Sequence, residues 1–161
     1  MKDELRLTRC CLIGQVPQML KRPEDDVKVD LENSILRSIS EGTLSFVSGL
    51  DRGVGIWAAE IVLRLKRDNP SLHLIAAVPC PGFDEAWEDA WSRRYRTLLS
   101  QAEYVRVMEP VCSAEAFRKR VQWMVTHSAR AIAVYNGQAG ETRDLIRCAR
   151  LCRIPVLILP G

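Results

Sequence analysis

The chain has 161 residues, 47% of them hydrophobic and 27% charged, with a formal net charge of +3. That size and balance fit one soluble domain, 1–161, long enough to bury about two-thirds of its unfolded surface. The weak charge argues against a nucleic-acid partner, because 23 Lys and Arg are spread among 20 Asp and Glu. No stretch approaches the roughly 18 apolar residues of a bilayer span, and Met1–Arg9 lacks a signal-peptide core. The expected setting is therefore the cytoplasm, with no membrane partner.

The elements alternate. Cys10–Ile13 is a short apolar run closed by Gly14, and Asp30–Ile39 carries a helical stripe of Leu31, Ile35, Leu36 and Ile39. Between them, Gln15–Val29 reads as one long irregular connection. A second strand, Leu44–Val47, ends in Ser48-Gly49. A helix from about Ile56 to Arg67 follows, stopped by Asn69-Pro70. The third strand is Leu72–Val78, then a long helix Asp84–Ala102 and a fourth strand, Tyr104–Met108. Helix Ala114–His127, strand Ala131–Tyr135, helix Glu141–Leu151 and strand Ile154–Leu159 complete the chain. Helices between strands require crossover connections, and the strands are apolar almost throughout. The pattern therefore predicts an α/β Rossmann-like three-layer sandwich, with a mainly parallel sheet of about six strands.

Such sheets bind ligands beyond the carboxyl ends of their strands, near the point where strand order reverses. Glycine marks those ends here. Ser48-Gly49-Leu50-Asp51-Arg52-Gly53-Val54-Gly55 leads from the second strand into a helix, and Asn136-Gly137-Gln138-Ala139-Gly140-Glu141-Thr142 does so after the fifth. Free amides at a helix start favour an anion, and Arg52 and Thr142 add polar groups. Either segment also reads as a capped turn with nothing bound. Neither carries the GK[ST] of a phosphate-binding NTPase loop or a GxGxxG fingerprint, so ordinary NTPase and NAD-dehydrogenase functions are disfavoured.

The remaining polar groups read as structural. His127 is placed to cap a helix C-terminus. Trp87, Trp91 and Tyr95 share a helical face and, like Trp57, suit packing. The six cysteines, Cys10, Cys11, Cys80, Cys112, Cys148 and Cys152, form no CxxC pair, and the chain has only two His. Free thiols are expected, with no metal and no cofactor.

These motifs resemble the YpsA-like branch of the SLOG superfamily, which is related to the LOG phosphoribohydrolases and to DprA. The resemblance is carried by Cys10–Gly14, Phe46–Gly49, Gly53-Val54 with Trp57–Glu60, and Ala77–Gly82. Arg93–Leu98, Trp123–Val125 with His127-Ser128, and Ala133–Tyr135 with Gly137, Gly140 and Thr142 complete it. It implies a nucleotide-derived ligand such as ADP-ribose. Carried over, Gly14, Ser48, Gly49, Gly53, Gly140 and Thr142 line the site, with Trp57 and Glu60 beside it. Gln15, Asp51, Arg52, Pro79, Gly137 and Glu141 join them from the same strand ends. The sequence departs from the family pattern at Gln15-Val16, where His-Arg is usual, and at Gly55 and Thr126, where Asp is usual.

Binding or sensing of a nucleotide derivative is thus the leading expectation. The alternatives are an N-glycosidic hydrolase using Asp51, Glu60 or Glu141, or a protein-interaction scaffold with a degenerate site. A homodimer through helices flanking the sheet is the oligomer the resemblance implies.

Overall fold

The computed structural model describes residues 2–161, with side chains from residue 4 onward. Six strands form one all-parallel sheet, in the order β4-β3-β2-β1-β5-β6. The strands are β1 (Arg9–Gly14), β2 (Ser45–Ser48), β3 (His73–Val78), β4 (Tyr104–Val107), β5 (Arg130–Tyr135) and β6 (Val156–Pro160).

Chain order steps outward from β1 to β4, then returns to the other side of β1 for β5 and β6. Crossovers between parallel strands keep one hand, so reversing direction moves the helices to the other face. Accordingly α2 (Glu24–Ser40), α3 (Val54–Lys66) and α4 (Asp89–Gln101) cover one face, packed on Leu12, Phe46, Leu74 and Val134. On the other face, α5 (Ala114–Thr126) and α6 (Glu141–Leu151) pack on Ile13, Val47, Ala77 and Ala133. Alternate residues of each inner strand thus feed two cores, as the pleat requires.

Helix α3 lies over the centre of the sheet and is buried along most of its length. The edge strands differ from the sequence expectation of cover on both faces. β4 is exposed at every residue, and Leu157 and Ile158 of β6 are exposed.

Two helix boundaries moved. α2 begins at Glu24 rather than Asp30. Pro23 precedes its first turn, and Glu24, Asp25 and Asp26 there favour the positive end of the helix dipole. The charge cluster that reads as a loop is thus the solvated start of a helix. α4 begins at Asp89 rather than Asp84. The residues before it turn to fold Phe83 and Trp87 edge-on against Tyr95. A further helix, α1 (Lys2–Leu7), precedes β1.

Cys80, expected as a free thiol, is joined to Cys112 by a disulfide, with Cα atoms 5.1 Å apart. Their 32-residue separation gives no spacing signal that could have announced the pair. Cys10 and Cys11 are free, and burial pushes both thiols up, so neither is a ready nucleophile. No helix among the described residues is long and apolar enough to cross a membrane.

Candidate functional site

The reversal of strand order falls between β1 and β5, where Gly14 stands in register with Val134. The chain leaves β1 toward α2 on one face and β5 toward α6 on the other, which opens a crevice between them. A cleft of about 890 Å³ lies there. Gly14, Gln15, Asp51, Gly140, Glu141 and Thr142 line it, so six of the fourteen candidate residues meet at one place.

The α6 end of the cleft is open. An added Cβ on Gly140 would meet nothing within 4 Å, and no side chain caps the helix. The amides of Glu141, Thr142 and Arg143 belong to the first turn and have no intrahelical acceptor. Gly140 holds φ at +150° with ψ at −168°, a conformation that favours glycine. Arg118 of α5 and Arg147 of α6 also line the cleft, and its apolar lining includes Ile13, Val16 and Phe117.

The turn after β2 is arranged differently. Ser48 Oγ donates to Gly55 O at 2.9 Å and accepts from Leu50 N–H at 3.0 Å, so its hydroxyl ties the turn together. Gly53 is covered by the loop after β1. A Cβ there would lie 2.8 Å from Pro17 Cδ and 3.0 Å from Gln15 O. The start of α3 is therefore roofed by Gln15–Pro17 rather than open to an anion. Gly53→Ala combines this contact with a φ of +86°, and a loss of about 2 kcal/mol in urea unfolding is the expected result.

The remaining candidates do not line the cleft. Arg52 packs over the Trp87 ring at 5.3 Å. Trp57 and Glu60 line a second groove on the far side of α3. Pro79 O accepts from Glu109 N–H at 3.0 Å, and Gly137 occupies a turn with φ +91°. Of the family-departure positions, Gln15 and Val16 line the cleft, and Gly55 packs on the Leu50 backbone. Thr126 sits in the last turn of α5, at the other edge of the sheet, bonded to Gln122 O at 2.8 Å. His127 caps that helix, with its ring stacked on Trp123 at 4.3 Å.

Sequence reasoning missed the residue that joins the two turns. Arg120 of α5 is 1% exposed. Its guanidinium donates to Gly49 O at 3.1 Å, to Asp51 Oδ1 at 3.1 Å and to the Glu141 carboxylate. Phe83 and Phe117 flank it at 5.3 and 5.1 Å. Burial opposes its charge, but the two carboxylates outweigh that and keep it protonated. Gly49 is glycine because a Cβ there would meet Arg120 Nη1 at 2.9 Å. Asp51 and Glu141, weighed separately as catalytic carboxylates, thus share one cation, while Glu60 is elsewhere.

Burial pushes the Glu141 carboxyl from 4.5 up to about 7. Arg120 pulls it down, and the nearby Asp51 and Asp144 push it further up. Between these values the folded protein holds a proton that the unfolded chain has released. Stability from this group therefore falls as pH rises from about 4.5 to 7. The shift corresponds to at most about 3 kcal/mol, and partial solvent access brings the expected change to about 1–2 kcal/mol. Urea midpoints at pH 5 and pH 7 check this: Glu141→Gln should remove that part of the slope, and an unchanged slope would contradict it.

A model of the YspA SLOG family matches residues 23–149. The chain belongs to this family. Among its relatives, a UPF0398 protein of Halalkalibacterium halodurans is 28% identical over 112 residues, covering 68% of this chain and 59% of that protein. The chain spans about three-fifths of the length of such curated relatives.

Two solved structures share the SLOG-type fold. DNA processing protein A of Helicobacter pylori matches 99% of this chain and 68% of its own, with a TM-score of 0.65 and 20% identity. The Streptococcus pneumoniae protein of the same name matches 99% and 52%, with a TM-score of 0.68 and 16% identity. At these identities the likeness is one of fold.

The Helicobacter protein binds single-stranded DNA. This corrects the expectation that the weak net charge of this YspA-family chain rules out nucleic acid. A whole-chain charge does not report how cations are distributed, which is what a phosphate backbone meets.

Proposed function

We propose that the cleft between β1 and β5 binds a nucleotide-derived small molecule, with an anionic group against the first turn of α6. The observation that carries this reading is the uncapped, unobstructed start of α6 facing Gly14 across the reversal of strand order. The cleft volume of about 890 Å³ suits a ligand of that size. Its apolar lining gives a base or ribose somewhere to pack, and Arg118 and Arg147 offset the Asp144 carboxylate at the rim. Glu141 is turned onto Arg120 and partly protonated near neutral pH, which lowers the repulsion an anion would meet.

Titration with ADP-ribose and AMP, followed by differential scanning fluorimetry and calorimetry, tests the proposal. A saturating ligand should raise the melting temperature by about 5 °C or more, with no free base released. Gly140→Asp should abolish the shift by placing a carboxylate at the amides. Absence of a shift with every nucleotide tried would overturn the reading. A second reading, single-stranded nucleic acid, is supported by the fold shared with the Helicobacter protein. It predicts that oligothymidine binds while ADP-ribose does not.

A further inference from the structure

A second groove, of about 850 Å³, lies on the opposite face of the sheet from α5 and α6. Residues of α2, α3 and α4 line it. It shares no residue with the cleft, and the proposed function does not use it.

Five cations line this groove: Lys28, Arg64, Arg67, Arg93 and Arg94. Three acids accompany them: Asp25, Glu32 and Glu60. Glu32 binds Arg64 at 2.9 Å, Glu60 binds Arg94 at 2.5 Å, and Lys28 binds Glu24 at 2.7 Å. Arg67 and Arg93 are exposed and make no ion pair among the described residues. The indole N–H of Trp57, a residue that lines the groove and is 2% exposed, is buried without an acceptor.

Spacing identifies the occupant. The Arg94–Glu60 pair sets Arg93 at the level of Glu60, and Arg67 lies seven residues further along the chain. At the helical rise of about 1.5 Å per residue, the backbone positions of the two unpaired cations stand about 10 Å apart. Positions that far apart along a groove of about 850 Å³ suit anionic groups spaced along an extended segment better than one small anion. The three acids among the cations also disfavour a continuous line of nucleic-acid phosphates. Trp57 is too buried to stack on a base. What fits is an extended chain whose anionic groups are spaced apart.

We propose that this groove docks an acidic segment of a partner protein, with carboxylates on Arg67 and Arg93. The test uses the full chain and a fluorescein-labelled octaglutamate peptide, followed by anisotropy at low salt. Octalysine and oligothymidine are the comparison probes. Octaglutamate should bind, octalysine should not, and the doubly substituted Arg67→Glu, Arg93→Glu protein should bind at least about ten-fold more weakly. Both positions are exposed, so the melting temperature should stay within about 2 °C of the parent.

Four results would overturn the proposal. One is no binding of octaglutamate, and another is binding that the double substitution leaves unchanged. The third is oligothymidine binding with the same dependence on Arg67 and Arg93. A dimer seen by sedimentation and dissociated by the same substitutions would also overturn it, by assigning the groove to a second copy. None of these outcomes bears on ADP-ribose binding at the cleft.

Discussion

Arg120→Met is expected to lower the unfolding free energy by about 3–5 kcal/mol, read as a drop in urea midpoint at constant slope. Methionine keeps an unbranched stem between Phe83 and Phe117, so little packing is lost. What disappears is the cation. Asp51 and Glu141 then face each other without it, and the Gly49 carbonyl loses its donor. Breaking one member out of a buried ionic cluster costs more than the cluster contributes when intact, because the partners stay desolvated.

Arg120→Lys should recover only part of the loss, since a single ammonium cannot serve three acceptors that a planar guanidinium reaches together. The deficit should also grow as pH rises above 7, because without Arg120 the Glu141 carboxyl holds its proton to higher pH in the folded protein than it does with the cation beside it. A loss below about 1 kcal/mol at pH 7 would mean that the cluster does not hold the turns after β2 and β5 together.

The pattern of short apolar runs and amphipathic stretches was enough to place all six strands to within about two residues. Parallel pairing followed from the crossovers they require. The cleft was partly legible. Gly14, Gly140 and Thr142 are marked because strand ends and helix starts have a recognisable chemistry. Arg120 was not marked, although one signal existed. It falls on the stripe of Ala116, Val121, Met124 and Val125 that α5 buries. Set within Arg118-Lys119-Arg120, it reads as one more solvated charge, and only helical phase separates it from its neighbours.

Gly53 misled for another reason. A glycine before a helix looks like an anion cradle, yet here its missing Cβ makes room for Pro17. Local sequence cannot tell whether ligand or chain fills the space. Trp57 and Glu60 follow the same logic: they stand on the helix that the glycine-rich turn leads into, but open onto a groove apart from the cleft.

Gly14→Ala is the substitution expected to damage fold and cleft together. The end of β1 rests directly on α3, and an added Cβ would overlap the Val54 side chain at its Cβ as well as its methyls. Val54 is fully buried in the first turn of α3, so it cannot swing aside as a long surface chain would. Forcing β1 and α3 apart should cost about 3 kcal/mol, at the upper end for one added methyl in a packed core.

Partner substitutions give the decisive comparison. Val54→Ala keeps the Cβ that lies 2.5 Å from the added atom, so it should relieve the clash only in part. Val54→Gly removes it, and in the Gly14→Ala background should cost less than it does alone. The coupling energy from the four-protein cycle, measured by urea unfolding, should be about 1–2 kcal/mol in favour of the pair. Simple additivity would show that β1 and α3 do not meet at this point. Gly14, which lines the cleft, would then lack the packing on α3 that holds the end of β1 in place.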